Sequence, residues 1–295
     1  MLLGAHVSTS GGIDKAIDRI ESIGGDAVQV FTQSPRAWRP TDHKPEAVER
    51  FKERRAEAAV GSVVCHATYL INLGATDDVI YHKSVNALKE TMETAHAIGS
   101  EGVVFHLGSH LGRGFDQAMH QVIPALQVVL GERDRHSLDP WLLIENAAGH
   151  EGTMGVSLEE LQTVVDELGQ PDRVGICLDT CHLFASGYDI RTPEEMDALL
   201  DEVDERIGLD RLRSLHVNDS KTPFDSRRDR HENVGEGEIG ERMAAFLGCP
   251  RLQELPSVME TAGQDGHGPG AADMKTLRRL HRKGVRQWAK LASSR

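Results

Sequence analysis

Residues 102–131, GVVFHLGSHLGRGFDQAMHQVIPALQVVLG, hold the unit from which the fold is read. Gly102–Leu107 is an apolar run with the length of a strand buried on both faces, interrupted near its end by His106. A glycine-rich loop follows. Phe115–Leu130 then sets apolar residues at helical spacing and stops at Gly131.

The same succession recurs along the chain. Further strand-like runs lie at Leu2–Val7, Ala27–Phe31, Ser62–Tyr69, Trp141–Ile144, Val174–Leu178, Leu212–Val217 and Ser257–Met259. Amphipathic stretches separate them, at Ile13–Ile23, Pro45–Val60, Val79–Ile98, Leu158–Leu168, Pro193–Ile207, Ile239–Leu247 and Met274–Leu291. Ser157 with Glu160 reads as a capping box, and Thr192-Pro193 with Glu194 and Glu195 as a helix start. Gly24, Gly61, Gly99, Gly131, Gly169, Gly208 and Gly248 fall near helix ends, where a left-handed residue is expected. Eight βα units in 295 residues predict an α/β fold, a (β/α)8 TIM barrel forming one domain over 1–295. A doubly wound sheet is the alternative, but its Gly-rich phosphate turn is missing.

Composition is that of a globular chain, 39% hydrophobic and 27% charged, with no run long enough to span a membrane. The first residues lack the basic start and cleavable apolar segment of a signal peptide, so the expected compartment is the cytoplasm. Cys65, Cys177, Cys181 and Cys249 show no CxxC spacing and are expected as reduced core thiols. The net charge of −13 argues against a nucleic-acid partner. Its distribution is uneven: Lys275–Arg295 has eight basic residues and no acidic one, leaving 25 basic against 46 acidic residues elsewhere. Glu194–Arg206, with seven acids and one base, reads as a solvated helix face.

Polar residues gather where the strands end, the rim at which barrels carry their chemistry. His6 closes the first run, His66 the third, His106 the fourth and Glu145-Asn146 the fifth. Asp179 and His182 follow at the sixth, His216 with Asn218-Asp219 at the seventh, and Glu260 at the eighth; Asp229 and His231 lie on the loop after the seventh. One such histidine is ordinarily a hydrogen-bonded structural residue. So many imidazoles and carboxylates at one rim point to metal, because buried charges are costly unless paired or ligating. Mixed imidazole and carboxylate donors suit zinc, manganese or iron. Asp229 and His231, two apart on an extended segment, can aim at one ion, whereas Asp179 and His182, three apart, can serve two. A helix N-cap Asp with an incidental His is the plainer reading of that second pair.

FTQSPRAWRP (31–40), HATYLINLG (66–74), HLGSHLGRG (106–114), ENAAG (145–149), LDTCHLFASGYD (178–189) and HVNDSKTPFDSRRDRHENVGEG (216–237) resemble, in order, the successive motifs of the endonuclease IV family. These are zinc-dependent apurinic/apyrimidinic endonucleases. The resemblance implies a (β/α)8 barrel holding three zinc ions, with manganese able to replace zinc in part. By position, His66, His106 and the bridging Glu145 would hold one ion. Glu145, Asp179, His216 and Glu260 would hold a second, and His182, Asp229 and His231 a third. Three divalent ions against four ligand carboxylates leave a site of formal charge +2, able to attract phosphate on an acidic protein.

The implied reaction is hydrolysis of the phosphodiester 5′ to an abasic site in duplex DNA, leaving a 3′-hydroxyl and a 5′-deoxyribose phosphate. A hydroxide between the first two zincs would attack phosphorus, with Glu145 bridging and Glu260 orienting the nucleophile. The third zinc would stabilise the leaving oxygen. Asn146, Asn218 and Asp219 are candidate supports for the ligands. Arg36, Tyr69 and Leu70 match positions that enter the duplex when the abasic nucleotide is flipped out. Ser34 stands where many relatives have Asn. Arg227, Arg228 and Arg230, and the basic C-terminal helix, are candidate phosphate contacts. Abasic duplex DNA is the expected partner of a monomer, with neither a membrane nor an obligate protein partner. Two rivals stand beside this reading. A one-metal sugar isomerase would use only Glu145, Asp179, His216 and Glu260; a non-catalytic, metal-stabilised DNA-binding module would need a closed, Cys-rich site.

Overall fold

The computed structural model describes residues 1–58 and 60–294. Eight parallel strands close into a barrel: β1 (Leu2–His6), β2 (Ala27–Phe31), β3 (Ser62–His66), β4 (Gly102–Phe105), β5 (Trp141–Glu145), β6 (Val174–Asp179), β7 (Leu212–His216) and β10 (Pro256–Met259). Two short strands, β8 (Asp219–Ser220) and β9 (His231–Glu232), pair antiparallel in the loop after β7. Helices α1 (Lys15–Ser22), α2 (Pro45–Glu57), α3 (Asp78–Ala97), α4 (Phe115–Arg135), α5 (Leu158–Glu167), α7 (Pro193–Arg206), α8 (Met243–Leu247) and α9 (Ala271–Ser294) surround it. Closure of β1 on β10, with Leu2–Ala5 registered against Pro256–Met259, excludes the doubly wound alternative.

The core has two parts. A large layer lies between strands and helices and includes Ile17, Phe51, Leu88, Leu126, Leu161, Leu200 and Leu277. A separate cluster of Val64, Val104, Leu143 and Cys177, with Trp141 against it, forms an interior layer. Two residues further along each of those four chain segments come His66, His106, Glu145 and Asp179. The twofold period of a strand keeps i and i+2 on one face, so the polar residues stand on an apolar floor at the C-terminal end.

Local expectations and structure differ at several points. The runs at Ser62 and Gly102 stop being strand at His66 and Phe105; Ala67 still donates its amide to the Val104 carbonyl of β4, and the chain then turns into buried loops at Ala67 and Leu107. The Ile239–Leu247 stretch is a 3-10 turn, Gly240–Arg242, followed by α8. The capping box is shifted: Ser157 accepts from the Glu160 amide, but the Glu160 carboxylate accepts from Gly155 and Val156. Gly24, Gly99, Gly169 and Gly208 have positive φ, whereas Gly61, Gly131 and Gly248 do not, and Gly131 lies inside α4. A short helix outside the eight βα units, α6 (Thr180–Ala185), starts directly at the end of β6, with Asp179 as the N-cap that the plainer reading of that segment required.

Gly248 serves a different need. A Cβ there would lie 2.1 Å from the Gly284 carbonyl carbon, and one on Gly284 would lie 1.9 Å from the Ala244 carbonyl oxygen. Helices α8 and α9 therefore touch backbone to backbone, and Trp288 locks them by donating to the Ala245 carbonyl at 2.8 Å. Helix propensity alone would favour alanine at Gly284 by about 1 kcal/mol. The clash reverses that sign. Gly284→Ala should destabilise by about 1–3 kcal/mol in chemical denaturation, and a stabilised variant would show that the helices separate freely.

Candidate metal centre

Each strand end delivers its polar side chain to one point because parallel strands finish on the same side of the barrel. At the centre is Glu145, 1% exposed. Its Oε2 lies 3.1 Å from His66 Nε2 and 3.3 Å from His106 Nε2; its Oε1 lies 2.9 Å from His216 Nδ1 and 3.3 Å from His182 Nδ1. The two oxygens thus face different sets of imidazoles. His216 Nδ1 is also 3.1 Å from Glu260 Oε2 and 3.9 Å from Asp179 Oδ2. Further round, Asp229 stands between His182 Nε2 at 3.3 Å and His231 Nε2 at 3.1 Å.

Donor atoms gather within 4.8 Å of one another in three sets: His66, His106 and Glu145; Glu145, Asp179, His216 and Glu260; His182, Asp229 and His231. A fourth overlapping set joins Asp179 and His231 to Cys181. Burial pushes the Cys181 thiol up to about 12, so it is held as the neutral thiol and is a poor ligand.

Asp179 combines two roles. Its Oδ1 accepts from the His182 amide at 2.9 Å and caps α6, while its Oδ2 faces His216 and His231. The N-cap and the site are therefore not alternatives. His66 donates from Nδ1 to the Ala67 carbonyl and His182 from Nδ1 to the Asn146 carbonyl, which leaves Nε2 of each ring facing the cluster. Asn218 donates to Asp179 Oδ2 at 2.5 Å and accepts from the Glu260 amide, and Asn146 Oδ1 accepts from the Asp179 amide. Asp219 does not support a ligand. It accepts from the amides of Ser220, Gly235, Ile239 and Gly240 and holds the loop between β8 and α8.

Gln29 was not among the expected supports, although it is fully buried and reaches both His216 and Glu260. Its signal in the sequence is a lone polar residue within AVQVF, a strand otherwise apolar. A cleft of about 590 Å³ opens beside His6 and Glu260, bordered by Ser8–Gly12, Tyr69 and Thr261. Tyr69 is 57% exposed, with its ring 5.1 Å from Phe31 and 5.6 Å from His66. Leu70 is half-buried, and Arg36, Arg227, Arg228 and Arg230 are exposed. Arg227 pairs with Asp225 at 2.9 Å. The basic residues of α9 lie elsewhere: Arg278 pairs with Asp26, and Arg279 and Lys283 with Glu241. Among the described residues no helix is long and apolar enough to cross a membrane.

The sequence model of the family described as xylose isomerase-like TIM barrel matches residues 17–283. The probable endonuclease 4 of Halothermothrix orenii is 37% identical over 280 residues, covering 95% of this chain and 100% of its own. That of Halorhodospira halophila is 40% identical over 266 residues, or 90% of this chain and 89% of its own. The chain belongs to the endonuclease IV family. The crystal structure of endonuclease IV from Thermus thermophilus matches with a TM-score of 0.82 at 33% identity, over 97% of this chain and 100% of that one. A D-tagatose 3-epimerase-like protein reaches a TM-score of 0.70 at 17% identity, a likeness of fold alone. With its family, this chain is a nuclease.

The donor chemistry fits metal ions. His182 Nε2 and His231 Nε2 are buried without a hydrogen-bond partner, though each faces a carboxylate. In the metal-free chain, burial favours the neutral ring and prevails at His6 and His106, whereas neighbouring acidic groups favour protons on His66, His182, His216 and His231 in place of cations. Burial favours the neutral acid at Glu145, but His106, His216 and His182 outweigh it and hold the carboxyl well below the usual range. Burial likewise works against the imidazolium of His231, yet Asp179 and Asp229 raise that ring from 6.5 to about 9.

A raised histidine value means that its ion pair contributes fully below the unfolded value and is lost as pH passes the folded one. Chelator-treated protein should therefore lose stability as pH rises from 6.5 to about 9. Metal binding has the opposite dependence, because ligand protons must leave. Urea midpoints measured across that range should fall for the chelated protein while the metal's stabilising increment grows; a chelated protein whose midpoint rises would contradict the ion-pair assignment.

Proposed function

We propose that this chain is a DNA-repair endonuclease that hydrolyses the phosphodiester 5′ to an abasic site in duplex DNA, leaving a 3′-hydroxyl and a 5′-deoxyribose phosphate. The whole chain, 1–295, acts as one domain. The observation that carries this reading is the set of three neighbouring donor groups, two of which share Glu145. A one-metal isomerase would need only Glu145, Asp179, His216 and Glu260, leaving His66, His106, His182, Asp229 and His231 without a task. The endonuclease 4 names of relatives that align over nearly the full chain support the same choice.

Three zinc ions are the proposed cofactors. His66, His106 and Glu145 would hold the first, Glu145, Asp179, His216 and Glu260 the second, and His182, Asp229 and His231 the third. When bound, zinc supplies Lewis acidity that makes water acidic near neutral pH and offsets charge on the phosphate and the departing 3′-oxygen. Within the chain, Glu145 shares its two oxygens between neighbouring donor groups, which favours a bridging role. Glu260 borders the cleft and is proposed to orient the attacking water. Tyr69, Leu70 and Arg36, on loops beyond β2 and β3, are proposed to fill the space left in the duplex when the abasic nucleotide turns out. Arg227, Arg228 and Arg230 would hold backbone phosphates, their charge offsetting the acidity of the chain.

The deciding experiment is incision of a duplex with one abasic site, with the product ends identified. Glu145→Gln, which keeps the volume of the bridge, should lower nicking about 100-fold or more while the barrel stays folded. Near-parental activity would remove Glu145 from the mechanism. Elemental analysis should approach about three metal ions per chain, mostly zinc, and about one fewer in His231→Ala together with slower cleavage. A fully loaded parent with a single ion would overturn the three-metal reading.

Tyr69→Ala and Leu70→Ala should each weaken binding to abasic duplex about tenfold without changing metal content, since insertion offsets part of the cost of extruding a nucleotide. If both variants bind as the parent does, those side chains merely pack their loop.

A further inference from the structure

Gln29 sits in the middle of β2, fully buried, and contacts three members of the rim. Its Nε2 lies 2.5 Å from Glu260 Oε1 and 3.1 Å from His6 Nδ1, and its Oε1 lies 2.7 Å from His216 Nε2. The chemistry of the neighbours decides which end of the amide points where. An ionised Glu260 carboxylate can only accept, so the Gln29 NH2 must face it, with the second hydrogen turned to His6. The Gln29 oxygen then faces His216 Nε2 and can only accept, so that nitrogen carries the hydrogen. In a neutral ring this leaves the lone pair of His216 on Nδ1. That atom lies 2.9 Å from Glu145 Oε1 and 3.1 Å from Glu260 Oε2, neither of which can donate to it. A lone pair held among carboxylate oxygens is a place for a cation.

We propose that Gln29 is a positioning residue for the second donor group: its single amide fixes His216 in the tautomer that presents Nδ1 and steadies Glu260 beside it. This rests on the metal reading above. Without the amide, His216 could place its hydrogen on either nitrogen, and Glu260 would lose the donor that orients it. Neither Asn146 nor Asn218 contacts His216 through a hydrogen bond; the Cys177 thiol does, but of these residues the Gln29 amide alone reaches both His216 and Glu260.

The test uses the full chain and zinc alone, without DNA. Zinc uptake is followed by competition with a chromogenic chelator, and the His216 imidazole is followed by 1H–15N spectroscopy of the zinc-loaded protein. Uptake by the parent is read first: none would overturn the metal centre itself. The parent should also show a slowly exchanging Nε2 proton on His216. Gln29→Met retains the volume but neither hydrogen-bonding end. It should weaken one of the bound zinc ions about 10–100-fold and lose the protected proton. Parental zinc affinity with an unchanged His216 signal would overturn the role of Gln29 and leave the metal centre standing. Gln29→Glu retains an acceptor for His216 and keeps the result decisive should the Met variant fail to fold. A protected Nε2 proton in it supports the assignment, and its absence in folded protein overturns it.

Discussion

A carboxylate sealed from water at the end of a central strand must be matched by positive charge, because an isolated buried ion costs several kcal/mol. Glu145 is in that position, and four imidazoles approach its two oxygens. Three of those rings are anchored through one nitrogen, His66 by Ala67, His182 by Asn146 and His216 by Gln29. Each anchor turns the remaining nitrogen toward the donor groups. The same arrangement can be balanced by protons or by divalent cations, so the metal-free chain folds around imidazolium pairs and metal ions compete with those protons.

The barrel makes this arrangement tolerable. Val64, Val104, Leu143 and Cys177 form a dry layer beneath the polar one, and the strand period separates the two by a fixed distance along each strand. Hydrophobic burial is thus complete before the charges begin. Asp179 shows how closely fold and site are joined, since one oxygen starts α6 and the other faces His216 and His231. Removing it would cost a helix cap as well as a donor.

Net charge alone gives a misleading electrostatic picture. Part of the basic run of α9 is fastening: Arg278 ties the helix to Asp26, and Arg279 and Lys283 converge on Glu241. Exposed positive charge also lies on the loops after β2 and β8, which bear Arg36, Arg228 and Arg230. A polyanion would meet the rim, where charge is local and the long-range acidity of the chain is screened beyond about 8–10 Å at ordinary ionic strength.

The order and number of βα units were legible in the sequence because each strand buries both faces and each helix buries one stripe, and these patterns are local. The polar strand ends were legible for the same reason: a His or Glu that closes an apolar run breaks the run visibly. Helix α6 was legible only through its N-cap, Asp179, since Thr180–Ala185 is buried throughout and has no polar face to mark a helical period. The roles of Gly248 and Gly284 were hidden too, because their need for space comes from a partner helix distant in sequence. By itself the sequence determined the barrel and the donors at its rim. Only the tertiary structure decided which oxygen of Glu145 faces which ring, that Asp219 holds a loop rather than a ligand, and that Gln29 contacts His216 and Glu260. Those relations depend on barrel closure, which brings β2 into contact with β7 and β10 side chains across an interior that no local periodicity describes.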